Sequence, residues 1–213
     1  MITVWSVLNG TKYTNEDVYI LRDMVARNLS QPHVFRCLSD REVPGVDCFI
    51  PDEQWPGWWA KLLLFRYSQG PCLYLDLDCV ITGPLDDLLS YVLSMPANWA
   101  QSGHGGCQSS VMSWQAPYHW ITDAFHVEQL EPLADGGCGR YRGLWGDQEL
   151  ITDLCGDPGG KRIHAMQGIY SYKYHCQNGL PPGAAVVCFH GEPKPKDVTD
   201  AWVIRSRSTP IPA

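Results

Sequence analysis

An apolar run that ends in two aspartates constrains this chain more than any other feature. Residues 73–78 read Leu-Tyr-Leu-Asp-Leu-Asp, so Asp76 and Asp78 stand one residue apart at the end of a strand-type segment. Carboxylates placed there cost several kcal/mol unless something positive meets them. The fold must therefore bring this strand end to a cleft, and bring a cation with it. Residues i and i+2 of a strand point to the same side. The pair is thus expected to reach one cation together, and oxygen ligands suit Mg2+ or Mn2+. The plainer alternative is a pair of solvated residues capping a turn.

The segments around this strand set the fold class. Residues 2–9 read as a buried first strand ending at Asn9-Gly10, and Val18, Leu21, Val25 and Leu29 have helical spacing. Residues 32–40 read as a second strand. Residues 56–70, from Pro56 to Gly70, read as a helix, and 72–78 form the third strand. A short helix is expected from Gly83, a strand over 105–114, and helices over 118–130 and 147–155. A late strand, rich in Val and Ala, covers 184–191. Strands alternating with helices argue for a mostly parallel sheet covered on both faces, with ligands at the carboxyl ends of its strands. No internal repeat or low-complexity linker divides the chain. The expectation is one domain over 1–202 and a flexible tail over 203–213.

Charge narrows the function. The formal net charge is −7, a poor basis for nucleic-acid binding. An anionic ligand would need a local positive device: a few lysines, a helix N-terminus or a metal. No stretch approaches a membrane span, and the first residues do not read as a secretory signal. The nine cysteines include no CxxC pair, which argues against a zinc ribbon and for reduced thiols in a cytoplasmic protein.

A second chemical segment lies late in the chain, Val186-Val187-Cys188-Phe189-His190-Gly191-Glu192-Pro193-Lys194-Pro195. In a strand Cys188 and His190 would share a face. Gly191 permits close approach of a ligand to the backbone, and Lys194 is a compact charge suited to phosphate.

Together, "YLDLDCVITGPLDDL" and "VVCFHGEPKP" resemble the GT-A glycosyltransferases, especially retaining family 8 and small glycosyltransferases of bacteria and their phages. Those enzymes carry a D-x-D strand end and a late "HFxGxxKPW" segment. "WSVLNGTKYTNEDV" resembles their opening strand and nucleotide loop, and "WWAKLLLFR" the helix whose lysine approaches the sugar diphosphate. "QSSVMSW" resembles their "NSGV" strand and "GDQELI" their "DQ" helix start. The resemblance implies an α/β/α sandwich and metal-dependent transfer from a nucleotide sugar, with a UDP-linked donor, an unknown acceptor and retention of anomeric configuration.

The resemblance also implies roles. Leu8, Asn9 and Tyr13 would contact base and ribose; Lys61, Gly191 and Lys194 would meet the diphosphate; Asp76, Leu77, Gln108 and Ser109 would contact the donor. Asp147 and Gln148 would face the reacting sugar, and Lys194 would stabilise the departing nucleotide. Asp76, Asp78 and His190 would hold Mn2+ or Mg2+. Aligning the glycines puts Cys188 at the family's metal histidine. His190, two residues on, is taken as the ligand because imidazole suits Mn2+ better than thiolate, with Cys188 as the fallback. Gln108 stands for the usual Asn, and Lys196 for the tryptophan after "KP". Each role has a plainer rival: simple packing for Tyr13, snorkelling for Lys61, and helix capping for Asp147. Trp55, Trp58 and Trp59 offer sugar-stacking faces, although core burial is expected for at least two of them. Two rival functions stay open. A nucleotidyltransferase would carry a glycine-rich phosphate loop that "LNGTKY" does not resemble. A degenerate, non-catalytic sugar-nucleotide binder is supported by the Cys188 departure.

Overall fold

The structure is a computed structural model and describes residues 1–99, 106–115, 117–133 and 137–208. The chain opens with β1 (Ile2–Leu8), α1 (Asn15–Asn28), β2 (His33–Ser39) and β3 (Asp47–Phe49). Next come a 3-10 segment, Gly57–Leu63, running into α2 (Leu64–Tyr67), and then β4 (Cys72–Leu75) and β5 (Cys79–Ile81). They are followed by β6 (Ser94–Met95), β7 (Val111–Trp114), α3 (His119–Asp123), β8 (Leu130–Glu131), β9 (Arg140–Tyr141) and α4 (Asp147–Cys155). The remaining elements are β10 (His164–Ala165), β11 (Ile169–Ser171), α5 (Tyr172–His175), β12 (Val186–Cys188) and α6 (Ala201–Ser208).

Seven strands form the main sheet in the order β10-β6-β7-β4-β1-β2-β3. Within it β1 pairs in parallel with β2 and β4, β2 with β3 and β10 with β6, while β7 runs antiparallel to β4 and β6. A second sheet, β11-β12-β5, joins the late strand to the segment that follows the aspartates.

Strand periodicity sorts the core into two layers. Val4, Leu8, Leu73 and Leu75 pack with Val18, Leu21, Met24 and Val25 of α1 and with the second sheet. Trp5, Cys72, Tyr74 and Trp114 pack on the other face with Trp59, Leu62 and Phe65. This is the expected α/β/α sandwich with a mostly parallel central sheet. Each large apolar side chain buried in it contributes about 1.5–3 kcal/mol. At the start of α1 the Asp17 carboxylate accepts from the Thr14 backbone N–H at 2.9 Å and from its hydroxyl at 3.1 Å. That interaction satisfies an otherwise orphan donor at the helix start.

Several elements differ from the sequence reading. The third strand stops at Leu75, and Asp76–Asp78 form a turn closed by the Cys79 N–H on the Asp76 carbonyl. The expected helix over 56–70 is mostly 3-10, with α-geometry confined to α2. The helix expected from Gly83 is a single 3-10 turn, Asp86–Leu88. The 118–130 helix splits into α3 and a 3-10 turn, Val127–Gln129. Residues 203–208 of the expected tail belong to α6, where Val203 is buried and the Ser206 carbonyl accepts from Arg27. Residues 209–213 lie outside the described residues. No helix among the described residues is long and apolar enough to cross a membrane.

Candidate active site

Parallel pairing of β1 with β4 puts Leu8 and Leu75 at the same edge of the main sheet. The antiparallel β7 begins beside Leu75, which brings Gln108–Ser110 to that edge. Antiparallel pairing of β5 with β12 aligns Cys79 with Cys188, and the Phe189 N–H bonds the Asp78 carbonyl. The loop after β12, with Gly191 and Lys194, is thereby held against the aspartate turn.

The positive partners demanded by the aspartates are two lysines. Lys61, only 6% exposed, places Nζ 3.1 Å from Asp76 Oδ1 and 3.3 Å from Asp147 Oδ2. It also donates to the Ser109 hydroxyl at 3.1 Å and lies near the Ser109 carbonyl at 3.3 Å. Lys194, 7% exposed, donates to Asp78 Oδ2 at 2.7 Å and to the Tyr13 hydroxyl at 3.1 Å. The Tyr13 hydroxyl itself donates to Asp78 Oδ2 at 2.6 Å, and Tyr74 donates to Asp76.

Burial and pairing act on these groups in opposition. Burial pushes the Lys61 ammonium down, but Asp147 and Asp76 outweigh it and hold the group above its ordinary value. For Asp76 burial pushes up, and Lys61 with the Tyr74 hydroxyl carries it below the usual carboxylate range. For Asp147 burial wins over Lys61, and its carboxyl is raised. Asp147 Oδ2 is buried and, among the described residues, has Lys61 at ion-pair distance but no hydrogen-bond donor in good geometry. Asp147 is the first residue of α4, after Gly146, where a carboxylate also meets the positive end of the helix.

The expected metal set does not fit this geometry. Leaving the strand at Leu75 removes the shared face, so Asp76 turns to Lys61 and Asp78 to Lys194. β12 ends at Cys188, so Cys188 and His190 do not act as strand neighbours. The Cys188 thiol is fully buried, 3.7 Å from the Cys79 sulfur. His190 Nε2 lies 2.7 Å from the Ser171 hydroxyl, and its ring is stacked between Trp99 and Tyr174. Burial, and then Lys173, lower the His190 pKa. Among the described residues no group of three or more His, Cys, Asp and Glu side chains could hold a metal ion. A dication at the aspartates would face two ammoniums. Their repulsion offsets the attraction of Asp76 and Asp78 for the ion, since like and unlike unit charges at equal distance cancel.

Other expected residues fall into two groups. Tyr13, Lys61, Asp76, Ser109, Asp147 and Lys194 converge. Gly191 lies on the same loop at φ +71, a conformation that favours glycine. Leu8 and Leu77 bury their side chains in the core, and the Leu8 carbonyl accepts from the Asp40 N–H. Asn9 donates to the Trp55 carbonyl, and Gln108 accepts from Ser110. Gln148 sits beside Asp147, where its carbonyl accepts from Thr152. Trp55 and Trp59 are buried as expected. Trp58, 41% exposed, packs close to Gly146 at the edge of the site.

Sequence reasoning passes over two further lysines. Lys12 and Lys194 both lie over the Tyr13 ring, 5.4 and 5.5 Å from its centroid. Lys173 reaches from α5 to Gly191, where a Cβ would stand 2.9 Å from its Nζ. Lys12 sits inside the expected nucleotide loop, a signal that could have found it; Lys173 has none.

No family model matches the chain, and no curated protein does. Solved structures do. The chain superposes on the glycosyltransferase GlyE of Streptococcus pneumoniae TIGR4 with a TM-score of 0.60 at 16% identity, covering 92% of this chain and 57% of GlyE. On the galactosyltransferase LgtC, solved with donor and acceptor sugar analogs, the TM-score is 0.59 at 17% identity, covering 100% of this chain and 98% of LgtC. On the bifunctional glycosyltransferase WbbM it is 0.61 at 11% identity, covering 98% of this chain but half (50%) of WbbM. The chain thus spans little more than half of GlyE and half of WbbM, but nearly all of LgtC. Its fold is the GT-A fold of these glycosyltransferases.

Proposed function

We infer that the protein transfers a sugar from a nucleotide-diphosphate donor, UDP-linked in our reading, to an acceptor hydroxyl, with retention. The observation that carries this reading is the network Asp147–Lys61–Asp76 beside Asp78–Lys194, lying at the carboxyl ends of β1 and β4. Three ion pairs on two buried lysines are a poor stability device, because desolvation offsets their attraction. They are a good device for presenting fixed charge to a ligand that gains charge as it reacts.

In transfer, the bond between the anomeric carbon and the diphosphate oxygen breaks. The acceptor oxygen bonds that carbon, and its proton passes to the departing phosphate oxygen. The diphosphate leaves with both electrons of the broken bond. Lys194 shares its ammonium between Asp78 and the phosphate oxygens as this charge develops. Lys61 holds Asp147 and Asp76 in place, so that Asp147, with Gln148 next to it, faces the sugar. Asp147 Oδ2 supports this: it meets Lys61 at ion-pair distance only, so it keeps capacity to accept from a ligand hydroxyl. Trp58 gives a stacking face for a sugar beside Asp147.

Burial of Cys188, where the resembling family carries histidine, favours a second reading: a sugar-nucleotide binder without turnover. One experiment separates them. A panel of UDP-, GDP-, ADP-, CMP- and dTDP-sugars is screened by thermal shift, and each hit is assayed for release of the nucleotide. A bound donor raises Tm according to ln(1 + [L]/Kd). A hit with turnover supports transfer, and a hit without turnover supports the binder. A panel with no hit overturns both.

A further inference from the structure

The charges around Asp78 do not balance. Lys194 neutralises Asp78, and its ammonium also meets the Tyr13 hydroxyl and, at 3.4 Å, the Phe189 carbonyl. Lys61 is shared by Asp76 and Asp147. Lys12 and Lys173 then remain, and among the described residues neither forms an ion pair with a carboxylate. Each lies beside a part of the Lys194 site: Lys12 at Tyr13, Lys173 at Gly191. Lys12 lies over the Tyr13 ring that Lys194 also approaches. Lys173 lies over the Gly191 backbone, in space that a Cβ at 191 would fill. Burial, and then the neighbouring Lys194, lower the Lys12 pKa, with Asp78 and Asp76 opposing. Lys12, Lys173 and Lys194 around the single carboxylate of Asp78 leave a local excess of positive charge that suits an anion.

We propose that Lys12 and Lys173, flanking the Lys194–Asp78 pair, grip the diphosphate of the donor directly, so that nucleotide binding proceeds without a divalent metal ion. A metal at a paired-aspartate site neutralises the carboxylates and bridges them to the phosphates. Here Lys61 and Lys194 already neutralise the carboxylates, and the bridging charge is supplied by side chains. The glycine at 191 is part of the arrangement, because its missing Cβ leaves room for Lys173. This inference rests on the reading of the site as one for a nucleotide sugar, and it adds the residues and the chemistry that hold the diphosphate.

Calorimetry on the full chain tests it, with UDP, inorganic pyrophosphate and uridine as probes, in EDTA and again with Mn2+ or Mg2+. UDP and pyrophosphate are expected to bind in EDTA, with affinity changed less than about three-fold by either metal. Lys12→Ala and Lys173→Ala are each expected to weaken both probes about ten-fold or more, the loss of one charge-assisted contact. Any uridine binding should stay unchanged. Thermal melts of both variants confirm the fold, since Lys12 is exposed and Lys173 only half-buried. UDP binding that appears only with metal overturns the inference while leaving the nucleotide-sugar reading intact. Metal-free binding that both variants retain at wild-type strength overturns the two-lysine grip. Failure of every nucleotide diphosphate (UDP, GDP, ADP, CDP and dTDP) to bind under either condition overturns the inference and the site reading together.

Discussion

Lys194 reaches back 116 residues along the chain to set its ammonium 2.7 Å from Asp78 Oδ2. Both side chains are buried, at 9% and 7% exposure. Removing one partner of such a pair leaves an uncompensated buried charge, which costs about 3–5 kcal/mol. Lys194→Met should therefore lose about that much stability in urea denaturation. The neutral pair Lys194→Met/Asp78→Asn should recover most of it. A single variant as stable as wild type would show that the two groups are hydrated, not paired.

Asp147 should behave in the opposite way. Its raised carboxyl pKa means that the ionised form is disfavoured in the folded state. A raised acid binds protons more tightly folded than unfolded, so its contribution to stability falls as pH rises from about 3.8 through the folded pKa. At neutral pH Asp147→Asn removes that cost, and stability should hold or rise. Donor turnover should fall by about 10²-fold, in kcat more than in KM. Steady-state hydrolysis of the donor, run beside urea denaturation, checks both halves. Full turnover in the variant would remove Asp147 from the site.

His190 supplies a pH dependence. Its folded pKa lies below the ordinary 6.5, through burial and then Lys173, with Asp78 opposing and Lys194 adding. The unfolded chain then binds more protons than the folded one just below pH 6.5, so stability rises with pH through that window and levels off above it. Thermal melts between pH 5 and 7 should show a drop on acidification that His190→Gln reduces. Equal slopes for the two proteins would show that other groups set the dependence.

Cys188 gives a packing test. The position is fully buried, with its sulfur 3.7 Å from that of Cys79. Cys188→Ala should cost little beyond a small cavity. Cys188→His must fit a larger polar ring into the second sheet and should lose about 1–3 kcal/mol. It should gain no Mn2+ affinity by calorimetry. A stable Cys188→His variant that binds Mn2+ would mean that a metal site needs only this one ligand.

Much of the architecture is legible in the order of the residues. β1, α1, β2 and β12 carry local signals strong enough to read: helical spacing at Val18, Leu21 and Val25, and strand-type apolar runs. β6 and β10, at two residues each, are too short for any periodicity to register. The 3-10 segment at Gly57–Leu63 shares the apolar pattern of an α-helix and differs only in how tightly it winds against Trp114 and Tyr74. α6 opens on the apolar residues 201–204, but Val203 is its one buried residue and the Arg and Ser residues that follow carry no helical spacing.

The candidate site divides along the same line. By itself the sequence determined which groups carry charge to the sheet edge: Asp76 and Asp78 end an apolar run, Lys61 sits in one, and Lys194 follows a glycine loop. It also implied that a positive partner had to be present. Which cation meets which carboxylate was decided by the tertiary structure alone. Asp76 and Asp78 leave the strand before its period of two can align them, so each turns toward a different lysine. Those lysines come from a helical segment before β4 and from a loop after β12. Lys173 comes to the late loop because β11, which leads into α5, pairs with β12, and β12 pairs with β5; Lys12 meets that loop from the segment after β1. Electrostatic partners are chosen by distance in space, and distance in space is set by strand pairing between segments more than a hundred residues apart.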